Sequence, residues 1–356
     1  MDLLRLAGAP GVGKSTAAWM IAQRLASEGV PTGYIDIDQL GMCYPAPDHD
    51  PDRWALKERA LAAVAEEFRR AGVDRLIVSG VALPDDPPPQ IDGISVRSIW
   101  LDASAQTRRE RLGQRKIDED QLAQTLAAGT SEAARVESSW ERIDTDGCSA
   151  DATVEGVLSK WHPATGTPSM VPRPFAPRSA TDDRVLWITG PRLAGSSRIG
   201  WEIANGEWAA GRRTGFVDFA QLSFVWNVDK AVGPASLARV HDVFRDAGAD
   251  AFVVVAPLEI SPSAARAALP SGEVSFVRLA ASDADVRAHA GLRRRGDGSA
   301  LAGDDMLGVS DAIVDDIIRI HRAQANLPLR EHELAVDATG LSLTDTVAAV
   351  RREVGW

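Results

Sequence analysis

Short apolar runs alternating with amphipathic stretches set the rhythm of this chain. Leu3-Leu4-Arg5-Leu6-Ala7 has the length and character of a buried strand. Thr16 to Leu25 then places apolar residues at helical spacing. Ser27-Glu28-Gly29-Val30-Pro31-Thr32 stops that helix, and Gly33 to Asp38 reads as the next strand. Met42 to Asp52 is a proline-rich, acidic loop. From about Arg53 to Ala71 a helix carries Trp54, Leu61, Val64 and Phe68 on one face. Lys57, Glu58, Glu66, Glu67, Arg69 and Arg70 fall mostly on the other, the face expected to be solvated. Strands at 75–79 and 94–101 follow, with a proline-rich loop at 83–90 between them. Asp102-Ala103-Ser104 caps a helix, 119–140 is helical, 142–147 is a short strand and turn, and 149–158 closes the series. Strands alternating with helices predict an α/β fold built on a parallel sheet.

Trp161 to Asp183 holds five prolines and no periodicity, which predicts an extended linker. Beyond it the pattern starts again. Gly8 maps to Gly190, Gly13 to Gly195 and Trp19 to Trp201 at a constant offset of 182 residues. Gly33-Tyr34-Ile35-Asp36-Ile37-Asp38-Gln39-Leu40 aligns at the same offset with Gly215-Phe216-Val217-Asp218-Phe219-Ala220-Gln221-Leu222. Later pairs drift from that offset, as loop insertions would cause, among them Phe68 with Phe244, Leu101 with Leu279 and Asp144 with Asp337. A duplicated domain accounts for this self-similarity. The expected organisation is a first domain over 1–162, a linker over 163–183 and a second domain over 184–356, with the two halves docking on each other.

Length and charge narrow the classes. At 356 residues the chain is comfortable for two domains, each with its own core. A net charge of −11 disfavours a nucleic-acid or acidic-membrane binder. Two cysteines, Cys43 and Cys148, give neither a disulfide framework nor a zinc pattern, so a reducing, cytoplasmic setting is expected. The opening apolar run is too short for a signal peptide, and no run approaches membrane-spanning length.

The candidate chemistry sits in the first half. Gly8-Ala9-Pro10-Gly11-Val12-Gly13-Lys14-Ser15 fits the phosphate-binding loop pattern, between a strand and a helix that continues with Thr16. Its glycines let successive N–H groups turn inward, and the helix N-terminus adds positive charge, so the loop suits the β-phosphate of a nucleotide. Lys14 is placed to reach the β/γ oxygens and Ser15 to ligate Mg²⁺. Asp36 and Asp38, two residues apart on one strand, are expected to project to one face near the loop. The strand Arg75–Ser79 ends without an acidic residue, which argues against a motor ATPase or a switch GTPase. Arg108, Arg109, Arg111 and Arg115 suit a lid that neutralises the transferring phosphate and excludes water. In the second half Lys14 is replaced by Ser196 and Asp38 by Ala220, which reads as a non-catalytic copy.

With those residues, each half resembles the phosphate-loop small-molecule kinases of the shikimate, gluconate and adenylylsulfate kinase group. The resemblance rests on the Gly8–Ser15 loop, the Asp36-x-Asp38 pair and the Arg108–Arg115 segment, over nearly all of 1–160 and more loosely over 184–356. It implies two tandem P-loop NTPase domains, each a five-stranded parallel sheet flanked by helices. It also implies ATP (with GTP as a further option) and Mg²⁺ as cofactors, and phosphoryl transfer to a hydroxyl of a small molecule. Carried onto this chain, Gly8, Gly11, Val12, Gly13, Lys14, Ser15 and Thr16 hold the nucleotide, and Ser15 and Asp36 serve the metal. Asp38 meets the acceptor hydroxyl as orienter or base, and Arg111 and Arg115 act from the lid. The turn at Asp144–Gly147 resembles the segment that packs near adenine. Shikimate kinases have a triple-glycine turn after the third strand, whereas this chain has Ser79-Gly80-Val81-Ala82, so the pocket is not a shikimate pocket. Two other readings of the loop stay open: an NTP-gated regulatory or assembly protein, and a plain NTP hydrolase.

Overall fold

A computed structural model of the protein describes residues 1–113, 118–161, 183–270, 272–297, 301–304 and 306–356. Arg115 and most of the proline-rich stretch lie outside the described residues. In the first half, β1 (Asp2–Ala7), α1 (Lys14–Ser27), β2 (Thr32–Asp36), β3 (Cys43–Tyr44) and α2 (Trp54–Ala71) come first. They are followed by β4 (Arg75–Ser79), β5 (Ser95–Asp102), α3 (Ala105–Gly113), α4 (Glu119–Ala134), β6 (Glu141–Asp144) and α5 (Ala150–Lys160). The second half runs β7 (Arg184–Thr189), α6 (Ser196–Ala209), β8 (Thr214–Asp218), β9 (Val225–Trp226), α7 (Gly233–Asp246) and β10 (Ala251–Val255). It ends with α8 (Pro262–Ala268), β11 (Glu273–Ala280), α9 (Asp283–Arg294), α10 (Asp311–Ala325), β12 (Glu333–Asp337) and α11 (Leu343–Val354).

The chain divides into two compact units, and neither is continuous in sequence. One comprises Met1–Gly41, Trp54–Ala176 and Ser223–Val232; the other comprises Met42–Arg53, Pro177–Leu222 and Gly233–Trp356. In the first unit the sheet order is β6-β5-β1-β4-β2-β9. The five strands from β6 to β2 are parallel, as the resemblance implies. Leu3, Leu4 and Leu6 on β1 and Leu76, Ile77 and Val78 on β4 are fully buried, because a parallel strand covered by helices on both faces needs a continuous apolar run. Gly33 lets α2 approach β2 closely: a Cβ there would stand 2.5 Å from the Phe68 ring.

The sixth strand, β9, runs antiparallel on β2 through Thr32↔Trp226 and Gly33↔Val225. Sequence reasoning had no place for it. Phe224 and Trp226 stack at 6.3 Å, and the Trp19 ring of α1 meets both edge-on. The Asn227 side chain donates to the carbonyls of Ala26 (2.7 Å) and Val30 (3.1 Å), joining β9 to the end of α1 and the turn after it.

The second unit has the sheet order β12-β11-β7-β10-β8-β3, with β3 antiparallel on β8 through Cys43↔Gly215 and Tyr44↔Thr214. The stretch 42–52, read from the sequence as a connecting loop, therefore supplies this sheet's edge strand. Arg213 anchors it by donating to the carbonyls of Pro45 (2.8 Å) and Ala46 (3.2 Å). The Tyr44 ring packs on Trp208 at 4.7 Å. In both units the two-residue strand covers an edge that would otherwise present unpaired backbone groups. Asp183, expected to be linker, is buried at the start of β7 and pairs with His241 at 2.6 Å.

Candidate active site

The phosphate loop lies between β1 and α1, as the sequence predicts. Gly8, Gly11 and Gly13 have φ of 141°, 89° and 97°, a region open to glycine and strained for other residues. A Cβ on Gly8 would overlap the Leu101 carbonyl oxygen of β5. Gly13 is the N-cap of α1 and no side chain caps this end, an arrangement in which first-turn N–H groups face whatever anion the loop holds. The Lys14 ammonium donates to the Ala9 carbonyl at 3.1 Å, folded across the loop it would serve.

The aspartates come together by a different route from the one the sequence suggested. Strand β2 ends at Asp36, and Ile37–Gly41 forms a 3₁₀ turn, so Asp38 is not a strand residue. The two are joined by an Asx turn, in which the Asp38 N–H donates to Asp36 Oδ1 at 2.9 Å. This local bond offers the backbone an alternative to the strand ladder. Burial pushes the Asp36 carboxyl up to about 6; the Asp38 charge adds to the rise, and the Asp38 N–H, Lys14 and Lys57 oppose it. Gly80, at the end of β4, is the third wall: a Cβ there would stand 3.4 Å from both Asp36 Oδ1 and Asp38 Oδ2 and 2.5 Å from Ile37 Cγ2. Both carboxylates therefore flank the very strand end that lacks an acidic residue of its own.

Two neighbours were missed. Lys57, expected on the solvated face of α2, has a side chain only 8% exposed and donates to Asp38 Oδ1 at 2.9 Å. Its position four residues before Leu61 and seven before Val64 put it on the apolar stripe, a signal the sequence did carry. Glu58, one residue on, accepts a bidentate pair from Arg5 at 2.9 and 2.6 Å, and Arg5 also reaches the Val81 carbonyl. Arg5 is 2% exposed in the middle of β1, so this pair fixes the start of α2 and the chain after Gly80 to the central strand.

The arginines of α3 act on the loop's backbone. Arg111 donates to the carbonyls of Val12 (3.1 Å) and Gly11 (3.4 Å), and to the hydroxyl and carbonyl of Thr145 at 3.0 and 2.8 Å. It thus ties the phosphate loop to the turn at Asp144–Gly147. Arg108 is buried, donating to the carbonyls of Pro10 and Leu126 at 3.1 and 3.0 Å. Arg109 remains exposed and pairs with Glu119 at 3.6 Å. Among the described residues no group of three or more His, Cys, Asp or Glu side chains forms a metal cage. Ser15 and Asp36 suit Mg²⁺ differently, as one or two protein ligands to an ion that otherwise keeps water and phosphate.

The second unit has a loop of the same outline. Gly195 caps α6 at φ 97°, but Leu193 takes φ 63° where the first loop has Gly11. Ser196 stands in the place of Lys14. Ser197 Oγ lies 3.4 Å from Asp218 Oδ2, and Asp218 is raised chiefly by burial. His289 bonds the Leu193 carbonyl at 2.9 Å, where the first unit uses Arg111. Arg293, Arg294 and Arg295 pair with Asp304, Asp311 and Asp297.

The AAA domain family model matches residues 5–134. No curated protein matches the chain. A sugar kinase from Janibacter sp. HTCC2649 is similar at 23% identity and a TM-score of 0.32, over 45% of this chain and 93% of that one. A gluconokinase from Sinorhizobium meliloti 1021 is similar at 20% identity and a TM-score of 0.30, over 44% and 90%. No helix among the described residues is long and apolar enough to cross a membrane. The fold is α/β, two mostly parallel sheets flanked by helices, and the phosphate loop of the first opens from its central strand.

Proposed function

We propose that the first unit binds Mg²⁺·ATP at Gly8–Ser15 and transfers the γ-phosphoryl group to a hydroxyl of a small molecule. The observation that carries this reading is the convergence of Asp36 and Asp38 on Gly80 at the end of β4, the strand between β2 and the β1 that leads into the loop with Lys14. The loop N–H groups and the Lys14 ammonium take the β- and γ-phosphate charge. Ser15 and Asp36 would hold Mg²⁺, Ser15 through its hydroxyl and Asp36 through a water, and the ion would supply charge to offset that of the phosphates. Asp38, with a half-exposed side chain, accepts a hydrogen bond from the acceptor O–H and directs its oxygen at phosphorus. The new P–O bond forms as the bond to the ADP oxygen breaks, and the hydroxyl proton leaves through Asp38 or to solvent.

The second unit is, in this reading, a non-catalytic relative of the first, since Ser196 and Ala220 remove the cation and the acceptor-facing carboxylate. The test is transfer of label from γ-labelled ATP into a metabolite extract. Lys14→Met is expected to abolish labelling, and Ser196→Lys to add little to the wild-type rate. Intact labelling by Lys14→Met sinks the assignment, and release of acceptor-independent phosphate at the full rate would mark a hydrolase.

A further inference from the structure

Resting on the kinase reading, we propose that Lys57 is a positioning residue for Asp38, held in a notch over Gly41 so that the carboxylate faces the acceptor hydroxyl in one orientation. The Lys57 ammonium donates to Asp38 Oδ1 at 2.9 Å, and the Trp54 ring lies 5.0 Å from it. Its stem crosses Gly41 so closely that a Cβ there would stand 2.6 Å from Lys57 Cε and 2.7 Å from Cγ. One oxygen of Asp38 is thereby occupied, and the carboxylate rotation that would carry it away from Asp36 and Gly80 is restrained.

The second half supplies an independent observation. Gly33 meets Phe68 and Gly215 meets Phe244 in the same way, which aligns α2 with α7 and sets Lys57 opposite Gly233. At the earlier offset Asp38 stands opposite Ala220 and Gly41 opposite Ser223. Carboxylate, cation and notch are thus missing together. Helix α7 begins at Gly233, so the residues of α2 before Lys57, Trp54 among them, have no helical counterpart there, and the lysine's own place is taken by a glycine. A lysine that served only to pack α2 has no reason to vanish with the aspartate it touches.

The experiment measures transfer from γ-labelled ATP into a metabolite extract, alongside affinity for a fluorescent ATP analogue with Mg²⁺, in the full chain. Lys57→Met is expected to lower transfer on the order of 10- to 100-fold, the scale of a misplaced reacting group, with nucleotide affinity unchanged. Lys57→Arg, which keeps the cation, should recover most of that loss. The Asp38→Asn/Lys57→Met double variant should be no slower than Asp38→Asn alone, because the lysine acts only through the carboxylate. If Lys57→Met fails to bind the nucleotide, Gly41→Ala decides, since it displaces the stem and leaves the charge; it should lose transfer and keep affinity. Wild-type transfer by Lys57→Met or, should that variant not bind nucleotide, by Gly41→Ala, or a double variant slower than Asp38→Asn by the full Lys57→Met factor, overturns the proposal. A wild-type chain that binds Mg²⁺·ATP yet labels nothing overturns the kinase reading and this one with it.

Discussion

Asp36 carries a charge in a place that resists it, and this has a measurable signature. An unfolded aspartate titrates near 3.9, whereas here burial, helped by Asp38, pushes the group up to about 6. The folded state therefore binds the proton more tightly, and stability falls as pH rises from about 4 to about 6 and then levels. Asp36→Asn keeps an acceptor for the Asp38 N–H and has no such fall. It is expected to be more stable than the parent at pH 7 by about 2 kcal/mol and equal to it near pH 4, read by urea unfolding at both pH values. A variant that gains stability while losing transfer is the mark of a residue kept for chemistry. Lys14, Ser15 and Asp36 were legible because their spacing follows a motif. Arg5 was not, and Lys57 only as a charge on the apolar stripe of α2, because neither has a visible purpose until its partner, Glu58 or Asp38, is seen beside it.

Regular elements were read within a few residues wherever periodicity persisted, as in α1, α2 and β4. The exceptions have a common cause, a side chain or distant strand competing with local propensity. The Asx bond to Asp36 Oδ1 ends β2 two residues early, and β3 forms only because β8 offers an open edge. Element ends also explain which glycines are indispensable. Gly8 leaves β1 at φ 141° against the Leu101 carbonyl, so the strand, the loop and β5 meet at one backbone atom. Gly8→Ala is expected to abolish binding of the fluorescent nucleotide and to cost on the order of 1–3 kcal/mol, since backbone strain and overlap with a carbonyl cannot be relieved by a side-chain rotation. Thermal unfolding beside a nucleotide titration checks both parts.

At the level of the whole molecule, the self-similarity at an offset of 182 residues was visible, while the exchange of edge strands was not. Cys43-Tyr44 and Val225-Trp226 are themselves related by that offset, and each pairs with the other half's second strand. Two-residue strands have no periodicity to detect, and their partners lie far away in sequence. Each compact unit consequently takes segments from both sides of 162–182. A protease site placed in that stretch of the full chain is expected, after cleavage, to give fragments that co-migrate in native size-exclusion chromatography and separate only in denaturant. Fragments that part without denaturant would refute it.

The same exchange bears on the order of events at the ribosome. Domains made in tandem usually fold one after the other as they emerge. Here the β2 edge stays bare, and the end of α1 lacks its hydrogen bond from Asn227, until residue 227 has been synthesised. The unit that carries the phosphate loop is thus finished by a strand from the half that follows it, and a chain released early leaves that edge open to any other strand.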